Sequence, residues 1–181
     1  MAKKLLICDL DNTLFFTDKL NSKSYIEAAK QLQIALPRTA YKEARITSST
    51  IKRYCPNIDS ETLKHLKQRK LEYFQNNLND IIVNKSLLKL INRYNYLCFW
   101  TSSIKERAVT QCRYFNIDYN ELISFNKNSA TIEDIENIII EWSEKYNIKD
   151  KKDILIIDDE VDYLKKIESL GYQTLLVEKI V

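Results

Sequence analysis

The sequence predicts an α/β fold: a Rossmann-like, three-layer α/β/α core with a mainly parallel sheet, plus an inserted small α-helical unit. Three observations carry that expectation. Short apolar runs alternate with longer amphipathic stretches, as in a parallel sheet covered by helices. The stretch from 18 to 79 contains no strand-like run. Polar residues follow directly on one apolar run after another, at the sheet edge where open α/β folds bind their ligands.

Taken in order, Leu5–Cys8 reads as a first buried strand, ended abruptly by Asp9-Leu10-Asp11-Asn12. Tyr96–Trp100 is a second and runs into Thr101-Ser102-Ser103. Leu122–Phe125 is a weaker third, Ile154–Ile157 a fourth that ends in Asp158-Asp159, and Tyr172–Val177 a fifth. Helices are expected near Ser86–Tyr94, Ile104–Tyr114, Thr131–Tyr146 and Val161–Leu170. The one glycine, Gly171, follows the last of these where a left-handed cap belongs. In the insert, Ser24-Tyr25-Ile26-Glu27 fits a capping box, and Tyr25, Ala28, Ala29 and Leu32 recur at helical spacing. A second helix is expected from Asp59 or Ser60, with Leu63, Leu66, Leu71, Phe74 and Leu78 on one face. Pro37 and Pro56 punctuate the stretch between. The boundaries are therefore 1–17 with 80–181 for the core and 18–79 for the helical insert.

Bulk properties narrow the function classes. A content of 45% apolar residues supports a packed core and argues against disorder. The balance of 28 basic against 25 acidic residues leaves a net charge of +3, which neither requires nor excludes nucleic acid. Aspartates interrupt the apolar run at the amino terminus, so it does not read as a signal peptide, and no stretch approaches the roughly 20 apolar residues of a membrane span. Cys8, Cys55, Cys98 and Cys112 show no CxxC spacing, which points to a reduced, cytoplasmic protein. With His65 as the single histidine, a two-histidine zinc site is impossible.

The chemistry is concentrated at the strand ends. Asp9 and Asp11 follow the first strand, Thr101 and Ser102 the second, Lys127 the third, and Asp158 and Asp159 the fourth. Four carboxylates crowded onto one edge raise each other's pKa unless a cation is present. Magnesium suits such a set, being a hard ion that takes a few carboxylates and keeps water and phosphate oxygens as its other ligands.

Asp9-Leu10-Asp11-Asn12-Thr13-Leu14 after an apolar strand resembles the DxDGT signature of the haloacid dehalogenase superfamily of phosphatases. The strand-ending Thr101 of FWTSS, Lys127 before a helix, and the acidic pair of ILIIDDE resemble that family's three other motifs, in the same order. The insert lies where the family commonly carries a helical cap. The resemblance implies an Mg2+-dependent phosphohydrolase in which Asp9 is the nucleophile and forms an aspartyl-phosphate. Asp11 is then the acid that protonates the leaving oxygen and the base that deprotonates water. Magnesium is held by Asp9, the Asp11 backbone carbonyl, Asp158 and Asp159. Thr101, with Ser102 and the loop at Asn12, binds the phosphoryl oxygens, and Lys127 offsets charge on the nucleophile and the transferring group.

Three departures stand out. Asn12 replaces a glycine, and asparagine tolerates the positive φ such a turn needs. Position 163, where the family commonly has a further acid, is Tyr163, with Asp162 one place early, either facing the site or capping the next helix. Lys127 lacks the usual following proline, so Lys105 is the alternative third-motif lysine. The implied substrate is a small phosphorylated metabolite or nucleotide. A phosphomutase or phosphotransferase, a nucleic-acid-end phosphatase, and a non-catalytic binding module on the same fold are the competing readings. Substrate identity and oligomeric state are not legible.

Overall fold

A computed structural model describes residues 3–127 and 129–178. The chain divides into two compact units, Met1–Phe16 with Val83–Val181, and Thr17–Ile82.

The first unit is built on five parallel strands, Leu5–Asp9 (β1), Tyr96–Thr101 (β4), Glu121–Ser124 (β5), Ile154–Asp158 (β6) and Gln173–Leu176 (β7), in the order β5-β4-β1-β6-β7. Two shorter strands, Phe15–Phe16 (β2) and Ile82–Val83 (β3), pair with each other. β1 is buried along its whole length, as expected for the middle strand of a sheet covered on both faces. Leu5 and Ile7 face one layer of helices, packing with Cys98, Trp100 and Ile156 against Ile135, Ile139 and Trp142 of helix Ile132–Tyr146 (α6) and Leu164 and Ile167 of helix Val161–Ser169 (α7). The alternating residues Leu6 and Cys8 point to the opposite face.

Helices Lys85–Ile91 (α4) and Lys105–Tyr114 (α5) complete this unit. Their ends have local causes. Asn84 caps α4 by accepting from Leu87 N, and Thr131 with Asp134 forms a capping box on α6. α6 ends on Asn147 in the left-handed region, and Gly171, at φ +84°, follows α7. Each expected strand of this unit is present, within a residue or two at most ends. The third strand begins one residue earlier, at Glu121, and the fifth is shorter, Gln173–Leu176.

The second unit is helical: Asp18–Gln31 (α1), Ser48–Tyr54 (α2) and Ser60–Asn76 (α3). Its core joins Tyr25, Ala28 and Ala29 to Ile46, Ile51, Leu63 and Leu66. Two expectations are corrected here. The Ser24 capping box does not form, because α1 starts at Asp18 and Ser24 lies in its interior, its hydroxyl donating to Leu20 O at 2.6 Å. The sequence reading also missed α2, whose start is a Thr47/Thr50 capping box in the stretch between the prolines. Asp59 caps α3 as expected.

Register, more than any loop, brings the strand ends of the sheet together. Cys8 sits opposite Phe99 on one side and Ile157 on the other. The next residue of each strand is therefore Asp9, Trp100 and Asp158, with Thr101 one step beyond. After β1 the chain turns through Asn12 at φ +65°, its N–H donating to Phe15 O at 2.6 Å. That left-handed residue is the reason for an Asn or Gly at this position. The expected outcome for Asn12→Gly and Asn12→Ala, compared by urea denaturation, is that the alanine variant is less stable than the glycine variant by about 1 kcal/mol. Equal midpoints would show that the turn does not impose the conformation.

Candidate active site

The buried heart of the site is a three-residue ion cluster. The Lys127 ammonium donates to Asp9 Oδ1 at 2.7 Å and to Asp158 Oδ2 at 2.8 Å, with all three side chains at most 3% exposed. Of the two lysines the sequence left open, Lys127 reaches the carboxylates, while Lys105 begins α5 and is exposed. Asp9, Asp158 and the half-buried Asp159 offer carboxylate oxygens that all lie within 4.8 Å of one another. The three carboxylates carry −3 and Lys127 +1, so the cluster stands at −2 when fully ionised. A divalent ion would neutralise it. The donors are hard oxygens with no His or Cys among them, which fits Mg2+.

Burial dominates the electrostatics. It pushes the Asp9 carboxyl well above the usual carboxylate range, with the Lys127 ammonium opposing and Asp158 adding to the rise. Asp158 is raised for the same reason, again against the pull of Lys127. Burial by itself would lower Lys127, but the carboxylates of Asp9 and Asp158 prevail and hold it above the ordinary lysine value. Burial also raises the Cys8 thiol well above its usual value, so next to Asp9 it is an inert apolar residue.

Asp11 has a different counter-ion. Arg107 Nη2, from the first turns of α5, donates to Asp11 Oδ1 at 2.6 Å, and the pair is 9% and 11% exposed. Ser103 Oγ donates to the other oxygen, Oδ2. Ser103 in turn is fixed by its neighbours: its N–H donates to Thr101 Oγ1 at 3.1 Å, and its carbonyl accepts from Ser124 Oγ. Thr101 is fully buried at the end of β4, and Ser102 is exposed on the turn that follows.

Two of these residues were missed in the sequence. Ser103 lay in the quoted TSS run but drew no attention, and Arg107 was passed over among the basic residues. The available signal was helical: Arg107 precedes Ala108 and shares a buried face with Gln111, and an arginine on a buried face needs an anion. Asp162 is corrected on both of its readings. It lies in the first turn of α7 with a 97% exposed side chain, and the N-cap residue is Glu160, so it neither faces the site nor caps the helix. Asp158 Oδ1 instead accepts from Glu160 N at 3.1 Å.

Tyr163, where an acid was expected, fills its place as an apolar body. Its ring centroid lies 5.4 Å from Lys127 Nζ and its ring packs edge-on against Trp100 at 5.4 Å. Its hydroxyl is buried without a hydrogen-bond partner among the described residues. Burial first, and then the charge of Asp158 and Asp9, raises its pKa, so it stays neutral.

No protein-family model matches the sequence, and no curated protein matches it either. Solved structures do match. CbbY from Rhodobacter sphaeroides, in complex with phosphate, superposes with a TM-score of 0.71 at 14% identity, over 98% of this chain and 87% of that one. YfnB from Bacillus subtilis, bound to magnesium, gives 0.71 at 14% identity over 97% and 89%. A haloacid dehalogenase-like hydrolase from Streptococcus pneumoniae gives 0.65 at 14% identity over 98% and 87%. The chain has the haloacid dehalogenase-like fold. Identities this low establish the fold alone. Within that fold the acidic cluster occupies the carboxyl edge of the sheet, at the ends of β1 and β6. No helix among the described residues is long and apolar enough to cross a membrane.

Carboxyls whose pKa is raised by folding bind protons more tightly in the folded state than in the unfolded one. Stability is then lost as pH rises from the ordinary carboxylate value through the raised value. Magnesium should cancel that loss. The stabilisation by Mg2+, read as the shift in thermal midpoint against EDTA, is expected to be larger at pH 8 than at pH 5. Lys127→Met is expected to cost about 3–5 kcal/mol without metal, because it strands two buried carboxylates. A metal shift independent of pH, or a Lys127→Met protein as stable as wild type, would refute this electrostatic description.

Proposed function

We propose that this protein is a magnesium-dependent phosphohydrolase that works through an aspartyl-phosphate on Asp9. The observation that carries the proposal is the placement of Asp9 against both Lys127 and the Asp158/Asp159 pair at the strand ends. A nucleophilic carboxylate beside a cation and further acids is what transfer of a dianionic phosphoryl group needs, since catalysis there is mostly positioning and charge stabilisation. CbbY in complex with phosphate and YfnB bound to magnesium share the fold, which supports the reading.

In this reading a carboxylate oxygen of Asp9 attacks phosphorus, the bond to the ester oxygen breaks, and Asp11 gives that oxygen its proton. A water molecule then attacks phosphorus, its proton passes to the Asp11 carboxylate, and the Asp9–phosphorus bond breaks to release inorganic phosphate. Asp9, Asp158 and Asp159, with the Asp11 backbone carbonyl, would hold the metal. When bound, Mg2+ neutralises the cluster and withdraws charge from the phosphoryl oxygens. Lys127 holds Asp9 in place and offsets charge on it. Thr101 and Ser102 take phosphoryl oxygens, along with the backbone of the turn at Asn12. The helical unit is inserted directly after the loop carrying Asp9 and Asp11, and it is assigned the choice among small phosphorylated metabolites or nucleotides.

A panel of phosphate esters, assayed with Mg2+ and with EDTA, tests the reading. Turnover is expected only with the metal, and Asp9→Asn is expected to fall to the uncatalysed background. Metal-independent turnover, an active Asp9→Asn protein, or a wild type inert towards every ester would each overturn it.

A further inference from the structure

We propose that Arg107 is a positioning residue for Asp11, and that with Ser103 it fixes the orientation in which Asp11 protonates the leaving oxygen. The proposal rests on the phosphohydrolase reading and adds to it a residue that the sequence motifs do not contain.

The geometry separates the two aspartates of the first loop. Asp9 and Asp11 are two residues apart, yet each is tied to a different cation on a different element: Asp9 to Lys127 after β5, Asp11 to Arg107 on α5. A single lysine shared between both acids would leave the side chain of Asp11 free to choose its rotamer. Here both oxygens of Asp11 are occupied, Oδ1 by a guanidinium nitrogen at 2.6 Å and Oδ2 by the Ser103 hydroxyl. Two donors on two oxygens fix the plane of the carboxyl group as well as its position. A planar guanidinium can do this where an ammonium, a point charge on a flexible stem, constrains position only.

The origin of these donors gives the arrangement its purpose. Arg107 and Ser103 belong to the segment that begins with Thr101, and Ser103 N–H is anchored on Thr101 Oγ1 at 3.1 Å. The same turn that takes the phosphoryl oxygens thus sets the direction of the acid. An acid delivers its proton efficiently only when its oxygen lies within hydrogen-bond reach of the departing atom, so a fixed relation between phosphate seat and acid serves the first chemical step. The near-burial of the ion pair adds to this, since a half-exposed arginine would lose much of its hold to water. A purely architectural role, tying α5 to the loop after β1, would need the same contacts but would be blind to the leaving group.

That difference is the test. Wild type, Arg107→Met, Arg107→Lys, Asp11→Asn and the Asp11→Asn/Arg107→Met double variant are compared in kcat/KM with Mg2+. The substrates are an alkyl phosphate that the wild type hydrolyses and 2,4-dinitrophenyl phosphate, whose leaving group departs without a proton. Circular dichroism and thermal unfolding confirm that each variant is folded. Arg107→Met is expected to lose about 10²-fold on the alkyl ester and only a few-fold on the activated one, the pattern of a disabled general acid. Arg107→Lys should recover part of the alkyl-ester loss, and Arg107→Met should cost little more once Asp11 is already Asn. An equal loss on both esters, or full additivity in the double variant, overturns the positioning role while a graded Asp11→Asn effect leaves the phosphohydrolase reading standing. An Asp11→Asn protein without that gradation, or a wild type without turnover, overturns the reading beneath it and this role with it.

Discussion

One buried lysine organises this protein. Lys127 lies between two carboxylates that burial alone would drive to protonation, and its ammonium touches both. Those carboxylates come from opposite ends of the chain, Asp9 from the first strand and Asp158 from the sixth, and they meet because β1 and β6 are neighbours in register. The sheet therefore brings like charges together, and Lys127 makes the arrangement tolerable. The compensation is incomplete. With Asp159 within reach, the cluster still carries an excess of two negative charges when ionised, and that excess is the physical argument for a divalent ion.

The second pair follows a different logic. Asp11 and Arg107 balance each other, so this half of the site is neutral without a metal. A site whose two aspartates have separate counter-ions can hold them in separate roles. One is placed where a cation and a phosphoryl group converge. The other is held by donors from the turn that receives the phosphate. Pairs of acids set apart by their environments are a common way for one site to supply two kinds of chemistry.

The sheet and its strand ends were legible because parallel strands are buried on both faces and read as short apolar runs, YLCFW and ILII among them. The acids following those runs had no apolar role to explain them. Lys127 was harder, since its placement depends on how a loop folds back, and a lysine in a chain with 28 basic residues carries little signal of its own. Arg107 was harder still: it lies inside an otherwise ordinary helix, and its importance comes from a partner 96 residues away. In the helical unit, Ser24 followed by Glu27 offered a convincing cap that tertiary packing overrode. The helix extends back to Asp18, where Leu20 and Asn21 are buried, and Ser24 is left to bond inside it. Asp162 misled for a simpler reason, because a one-residue offset on a helix turns a side chain by about a quarter turn, here out to solvent.

The central claim is the charge balance of the cluster around Lys127, and titration calorimetry with Mg2+ near neutral pH reads it directly. The account predicts one ion bound per wild-type chain, with that site lost in an Asp158→Asn/Asp159→Asn double variant that unfolds as cooperatively as wild type. The same stoichiometry and affinity in the folded double variant, or no binding by the wild type, would contradict it.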